Sequence, residues 1–127
     1  MPARLLDGVA TADRIREEIR PAVAAFRLRA GRPPGLGIVL VGDNPASEVY
    51  VRNKLEAAAD AGFRADLERL AASASISELL AVVGRLNDSD VHDGILVQSP
   101  LPDVMGDAAE RRVFDAVRPD KDVDGFH

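Results

Sequence analysis

The chain has 127 residues, of which 46% are apolar and 29% charged, with a formal net charge of -5 and no cysteine. That length suits one domain with its own core and is short for two, while the absence of cysteine excludes disulfides, thiolate metal ligands and a cysteine nucleophile. The 16 basic residues are interspersed among 21 acidic ones, and four Phe, one Tyr and no Trp leave few stacking platforms, so nucleic acid is not an expected partner.

No apolar run approaches the length of about 18 residues that a membrane span requires. The opening MPARLLDGVATADRI has no sustained apolar segment of the kind a secretory leader carries. The expectation is a soluble, cytoplasmic protein with no membrane partner.

The first predicted element is a helix over residues 11–29, with Ile15, Ile19, Val23, Phe26 and Ala30 at helical spacing, a kink at Pro21 and Gly31 as its stop. GRPPG then breaks the chain. LGIVLV (36–41) is a continuous apolar run of strand length, rich in β-branched residues, as in a parallel strand covered on both faces. Asn44 follows as an N-cap with Pro45 in the first helical position, and Gly62 closes that helix. FRADLERL (63–70) alternates like an outer strand. Ser75 and Glu78 form a capping box ahead of Leu79, Leu80, Val82, Val83 and Leu86, and NDSDVHD is a polar loop. GILVQ (94–98) is a second buried strand, SPLPD a break, and 107–117 a short helix with Val113, Phe114 and Val117 inward, ended by Pro119. The chain closes on DKDVDGFH in loop chemistry. Strands alternating with helices imply right-handed βαβ units, and hence a three-layer α/β domain whose mostly parallel sheet is flanked by helices.

In such sheets ligands sit beyond the carboxyl ends of the strands. Three segments are candidates for that edge: the loop and helix start after Val41, the SPLP turn after Gln98 and the loop after Pro119. Tyr50 and Lys54, at i and i+4, lie about 40° apart around a helix and roughly 6 Å along it, so both can face one small molecule. The ring can stack while the amine handles a proton, although a tyrosine shielding a solvated lysine fits the same pattern. Gln98 at the end of a buried strand needs partners for a carbonyl and two N–H groups. It either orients the lysine amine or simply bonds a loop.

Other motifs lead nowhere. Asp120, Asp122, Asp124 and Gly125 match positions 1, 3, 5 and 6 of an EF-hand loop, but the bidentate glutamate of position 12 would fall beyond the last residue. GRPPGLG precedes its strand, whereas a dinucleotide fingerprint follows one, and Gly42-Asp43-Asn44 has a single glycine. His92 and His127 lack metal-ligand spacing and are expected to be solvated, and there is no G-x-S-x-G turn. No metal is expected.

Taken together, NPASEVYVRNK, GILVQSPLP and PDKDVDGFH resemble the signature segments of the bifunctional methylenetetrahydrofolate dehydrogenase/methenyltetrahydrofolate cyclohydrolase family, and the resemblance runs from LLDG to the last residue. It implies that residues 1–127 are the family's substrate-binding catalytic domain. The family's second, Rossmann NADP domain follows the KDVDGFH region and is not in this sequence, so the ending reads as a domain boundary. The resemblance further implies Lys54 as the catalytic lysine, Tyr50 as the aromatic that stacks on the folate, Gln98 as the glutamine holding the lysine and Asp124 as the carboxylate that binds the pterin. Val51, Arg52, Asn53, Val97 and Ser99 come with them as substrate-binding neighbours. The implied ligands are tetrahydrofolate one-carbon derivatives, with NADP as cofactor in the longer family members. The implied assembly is a homodimer for the family, with a monomer left open for this shorter chain. Where the family usually has leucine after the glutamine this chain has Ser99, a hydroxyl expected to alter the pocket wall. The competing expectation is a catalytically silent folate-binding or scaffold domain.

Overall fold

A computed structural model describes residues 2–125. The described elements run α1 (Gly8–Ala30), β1 (Gly35–Val41), α2 (Pro45–Ala61), β2 (Arg64–Leu70), α3 (Ile76–Asp88), β3 (Gly94–Val97) and α4 (Ala109–Ala116), with short 3-10 turns at Asp103–Met105 and Pro119–Lys121. The sheet has the order β2-β1-β3 and both pairings are parallel.

β1 is central because it has no side for water. Val39 and Val41 face a large cluster built with Leu79, Val82, Val83 and Leu86 of α3, Ile95 and Val97 of β3 and Val113 of α4. Ile38 and Leu40 face the other way, onto Val51 of α2 and Leu96 of β3, with Leu55 and Leu67 at the margin. The period of two along one strand thus feeds two cores and makes three layers. β2, at the edge, is only half-buried, which explains its alternating sequence.

Local signals end most elements as the sequence implies. The Asn44 side chain accepts from the amides of Ala46 and Ser47, and Gly62 adopts a left-handed φ of 89°. Ser75 and Glu78 form a reciprocal capping box at α3. α1 departs from expectation. It starts three residues earlier than predicted, at Gly8 under an Asp7 cap, and continues through Pro21 as one helix. Of its apolar stripe only Val23 is buried, Ile19 and Phe26 are half-buried, and Ile15 and Ala30 are exposed. The reason is position: α1 is an outer helix that meets α2 rather than the sheet, with Arg20 bonding the Asp60 carbonyl and Val23 packed over Gly62.

The connection into β1 is held by charge. Arg32 makes a two-pronged ion pair with Asp93 at 2.8 and 3.0 Å, and the same carboxylate accepts from the Gly35 amide at 2.8 Å. The Arg32 hydrogen bond, with the Gly35 amide assisting against desolvation, holds the Asp93 carboxyl below its ordinary pKa. Gly35 itself admits no side chain, since a Cβ there would lie 1.7 Å from the Val91 carbonyl oxygen.

Two outcomes follow. Gly35→Ala should cost about 3 kcal/mol, the upper end of what overpacking does, because the clash is with backbone that cannot rotate away, and urea unfolding would measure it. Asp93→Asn should cost about 1 kcal/mol at neutral pH, as a half-exposed charged hydrogen-bond network does. Because the folded carboxyl titrates lower than the unfolded one, that stability is present above the unfolded pKa and is lost as pH falls through the folded one. The wild-type advantage in urea midpoint should therefore vanish in acid, and a constant gap would show that the charge is irrelevant.

Candidate functional site

The register places β3 level with Leu36 to Val39, so β3 ends two residues before β1 does at Val41. That difference leaves a notch at the carboxyl edge, and Gln98 enters it. Its backbone amide continues the ladder onto the Val39 carbonyl at 2.9 Å. The residue is 8% exposed and one of two buried polar residues among those described, the other being Ser47.

α2 passes over the same notch. Val51 is buried and Leu55 half-buried against the sheet, which turns the adjacent Lys54 toward β3. The Lys54 Nζ donates to Gln98 Oε1 at 2.8 Å. Tyr50 lies one turn earlier on α2 and is 58% exposed, an open aromatic face beside a half-buried amine. Arg52 and Asn53 are exposed on the outer side of that turn. The structure therefore joins two residues that are 44 positions apart.

Beyond Gln98 the chain turns sharply through a cis Ser99-Pro100 bond. Gln98 Nε2 donates to the Ser99 carbonyl at 2.9 Å. The Ser99 hydroxyl, expected to modify the pocket wall, is already engaged, donating to Glu110 Oε1 at 2.8 Å, and the same oxygen accepts from the Leu101 amide at 2.9 Å. Glu110 was not among the sequence candidates. Its only local signal is an acidic residue in the first turn of a helix, which normally reads as a favourable interaction with the helix dipole.

The loop after β1 and the SPLP turn together line a cleft of about 320 Å³, formed by Val41 to Asn44, Ala72 and Pro100 to Asp103. A wider hollow of about 570 Å³ between β2 and α3 has Ser73, Glu78 and Arg85 as its polar lining, and neither it nor the cleft is lined by Tyr50, Lys54 or Gln98.

The segment after Pro119 is more ordered than loop chemistry suggests. Lys121 Nζ donates to the carbonyls of Leu86 and Ser89 at the end of α3, and Asp122 forms a parallel bridge with Ile95. The parallel direction carries the chain along β3 toward the carboxyl edge, where Asp124 is exposed. Among the described residues no hydrogen bond joins the Asp124 carboxylate to Tyr50, Lys54 or Gln98. The D-x-D-G pattern has a local cause: Asp122 Oδ1 accepts from the amides of Asp124 and Gly125 at 3.2 and 3.0 Å.

His92 is not solvated, contrary to expectation. Its ring bridges Ser89 Oγ and Asp66 Oδ2, both at 2.7 Å, and ties the α3-β3 connection to β2. These contacts lie at the amino ends of the strands, on the far side from Lys54. His127 lies outside the described residues.

The model of the tetrahydrofolate dehydrogenase/cyclohydrolase catalytic domain matches residues 6–124. The chain belongs to that family. The bifunctional protein FolD 3 of Rhizorhabdus wittichii is 52% identical over 125 residues, covering 98% of this chain and 40% of its own length. The FolD protein of Polynucleobacter necessarius is 50% identical across 100% of this chain and 43% of its own. Among solved structures, a 5,10-methylenetetrahydrofolate dehydrogenase from the silkworm Bombyx mori superposes with a TM-score of 0.91 at 43% identity, over 99% of this chain and 42% of that one. The bifunctional FolD enzyme of Campylobacter jejuni gives a TM-score of 0.89 at 39% identity, over 98% and 43%. The dehydrogenase-cyclohydrolase of Trypanosoma brucei, solved with NADP cofactor and inhibitor, gives 0.86 at 36%, over 96% and 41%. The chain thus spans less than half the length of these family members.

Gln98→Ala should leave the family fold intact and cost about 1 to 2 kcal/mol, since it strips partners from Lys54 and the Ser99 carbonyl. A urea midpoint equal to wild type would show that the notch admits water freely.

Proposed function

We propose that residues 1–127 act as the substrate-binding catalytic domain of a bifunctional enzyme that oxidises 5,10-methylenetetrahydrofolate and hydrolyses the methenyl product to 10-formyltetrahydrofolate. The observation that carries this reading is the Lys54-Gln98 hydrogen bond one helical turn from the exposed Tyr50. Hydrolysis adds water to the one-carbon unit and breaks its bond to N5. The water oxygen loses both protons, one passing to N5 and one to solvent. A lysine amine held at fixed distance can take a proton from the adding water and return it to the departing nitrogen. Gln98 supplies an acceptor that fixes the amine, and Tyr50 supplies a surface on which the aminobenzoyl ring can stack. Val51, Arg52, Asn53, Val97 and Ser99 complete the surroundings in this reading, and Asp124 binds the pterin by accepting from its ring N–H groups.

The dehydrogenase step needs NADP, a hydride acceptor that the described residues do not fit. The loop after β1 has one glycine, and the first free amides of α2 are taken by Asn44. At α3 the capping box engages the amides of Ser75 and Glu78. No step of the oxidation is therefore assigned to these residues. Homodimerisation, cytoplasmic residence and a place in purine biosynthesis belong to the same reading and rest on the family resemblance alone.

The test separates binding from chemistry. Lys54→Ala should bind 5-formyltetrahydrofolate within a fewfold of wild type, while hydrolysis of methenyltetrahydrofolate, followed by loss of its chromophore, falls by about a hundred- to ten-thousand-fold. Equal loss of both would make Lys54 an electrostatic anchor. Binding without any wild-type turnover would favour the silent folate-binding domain.

A further inference from the structure

The polar contacts at the carboxyl edge form a directed chain. In its ammonium form Lys54 only donates, so it then requires the carbonyl end of the Gln98 amide, and the Ser99 carbonyl only accepts, so in every protonation state it requires the amino end. The two partners select one amide orientation out of two. Of these, the lysine sits at the end of a long flexible side chain, and the Ser99 carbonyl belongs to a turn whose direction is itself fixed. What fixes it is one oxygen of Glu110, which accepts from the Ser99 hydroxyl on one side of Pro100 and from the Leu101 amide on the other. Glu110 is half-buried in the first turn of α4, and that helix is seated in the large core by Ala109 and Val113, 3% and 0% exposed. The clamp therefore transmits the rigidity of α4 to the turn.

We propose that Glu110 is a positioning residue: by clasping Ser99 and Leu101 it aims the Ser99 carbonyl at Gln98 and so sets the amide face that meets Lys54. Without the clasp the turn retains Pro100 and Pro102 but loses the bonds on both sides of Pro100, and the Ser99 carbonyl can swing from Gln98 Nε2. The amide then samples its flipped state, with N–H groups directed at the lysine amine. Its effect on turnover rests on the role proposed above for Lys54, whereas its effect on the amine environment does not.

Lys54 and Lys121 are the only lysines in the sequence, so an ε-13C-lysine spectrum of the full chain contains two side-chain signals and Lys121 serves as an internal control on the fold. Glu110→Ala should move the Lys54 signal toward its position in Gln98→Ala and leave Lys121 in place. Glu110→Gln, which keeps an acceptor oxygen for both donors, should restore the wild-type signal. Ser99→Ala, which removes one of the two bonds, should fall between. In methenyltetrahydrofolate hydrolysis Glu110→Ala should lower kcat about tenfold or more with KM within about twofold, the signature of a misplaced group rather than lost affinity, and Glu110→Gln should recover most of it. A Lys54 signal unmoved in both Glu110→Ala and Ser99→Ala overturns the proposal whether or not the chain turns over folate. If Glu110→Ala displaces Lys121 as well, the fold has been lost and Ser99→Ala decides alone. If the spectra behave as expected but Lys54→Ala leaves hydrolysis intact, the positioning stands and the role given to Lys54 fails.

Discussion

A strand buried on both faces sets the conditions for everything else in this domain. Ile38 to Val41 are each no more than 4% exposed, so β1 needs a hydrogen-bonded neighbour on either edge and a helix over either face. With helices as the connections, the neighbours run parallel, and their carboxyl ends come out on one side. The loop to α2 and the turn after β3 are therefore adjacent without any contact between them having been needed to bring them there. The shortness of β3 then matters. A strand ending level with Val39 opens the sheet edge where a longer one would have sealed it.

The notch is a polar inclusion between two apolar clusters, and its cost is controlled by completeness. A buried amide with one unmet group costs about 1 to 3 kcal/mol, yet Gln98 meets the ladder through its backbone, Lys54 through its carbonyl and Ser99 through its amino group. Among the described residues no buried side-chain polar atom is left without a partner. Opposed donor and acceptor partners also select one amide orientation, which is what a proton-transferring amine requires of its surroundings.

Much of this was readable in one dimension because the deciding interactions are local. Asn44, Gly62 and the Ser75-Glu78 pair are capping chemistry confined to a single turn, and LGIVLV announces burial by composition. Tyr50 and Lys54 share a face through helix geometry alone, and a glutamine ending an apolar strand signals an amide in need of partners. What escaped depends on distant placement. The stripe on α1 looks like a sheet-facing surface, and only the stacking of α1 on α2 leaves Ile15 in water. His92 looks like a loop histidine until β2 brings Asp66 to it from 26 residues away. Glu110 looks like a dipole-friendly residue until the turn at Pro100 folds Ser99 and Leu101 onto it. The family likeness named Gln98 and Lys54, but at Ser99 this chain departs from the usual leucine, and the hydroxyl found a partner rather than the pocket.

The two cores are unequal, and the site lies on the weaker one. α3 and α4 share the large cluster with β1 and β3, whereas α2 reaches the sheet mainly through Val51 and Leu55. Its ends are tied by Asn44, by the ion pair of Glu48 with Arg69, and by Arg20 on the Asp60 carbonyl. Its middle, which carries Tyr50 and Lys54, has only that thin apolar seam beneath it. Packing therefore settles where the helix axis runs but leaves a lysine with four rotatable bonds free to choose among many rotamers. The choice is made from the other side of the sheet edge, by an amide whose orientation is held from the well-packed half of the molecule. Precision at the amine is thus borrowed from α4 through the turn at Pro100, and not generated by the helix on which the amine sits.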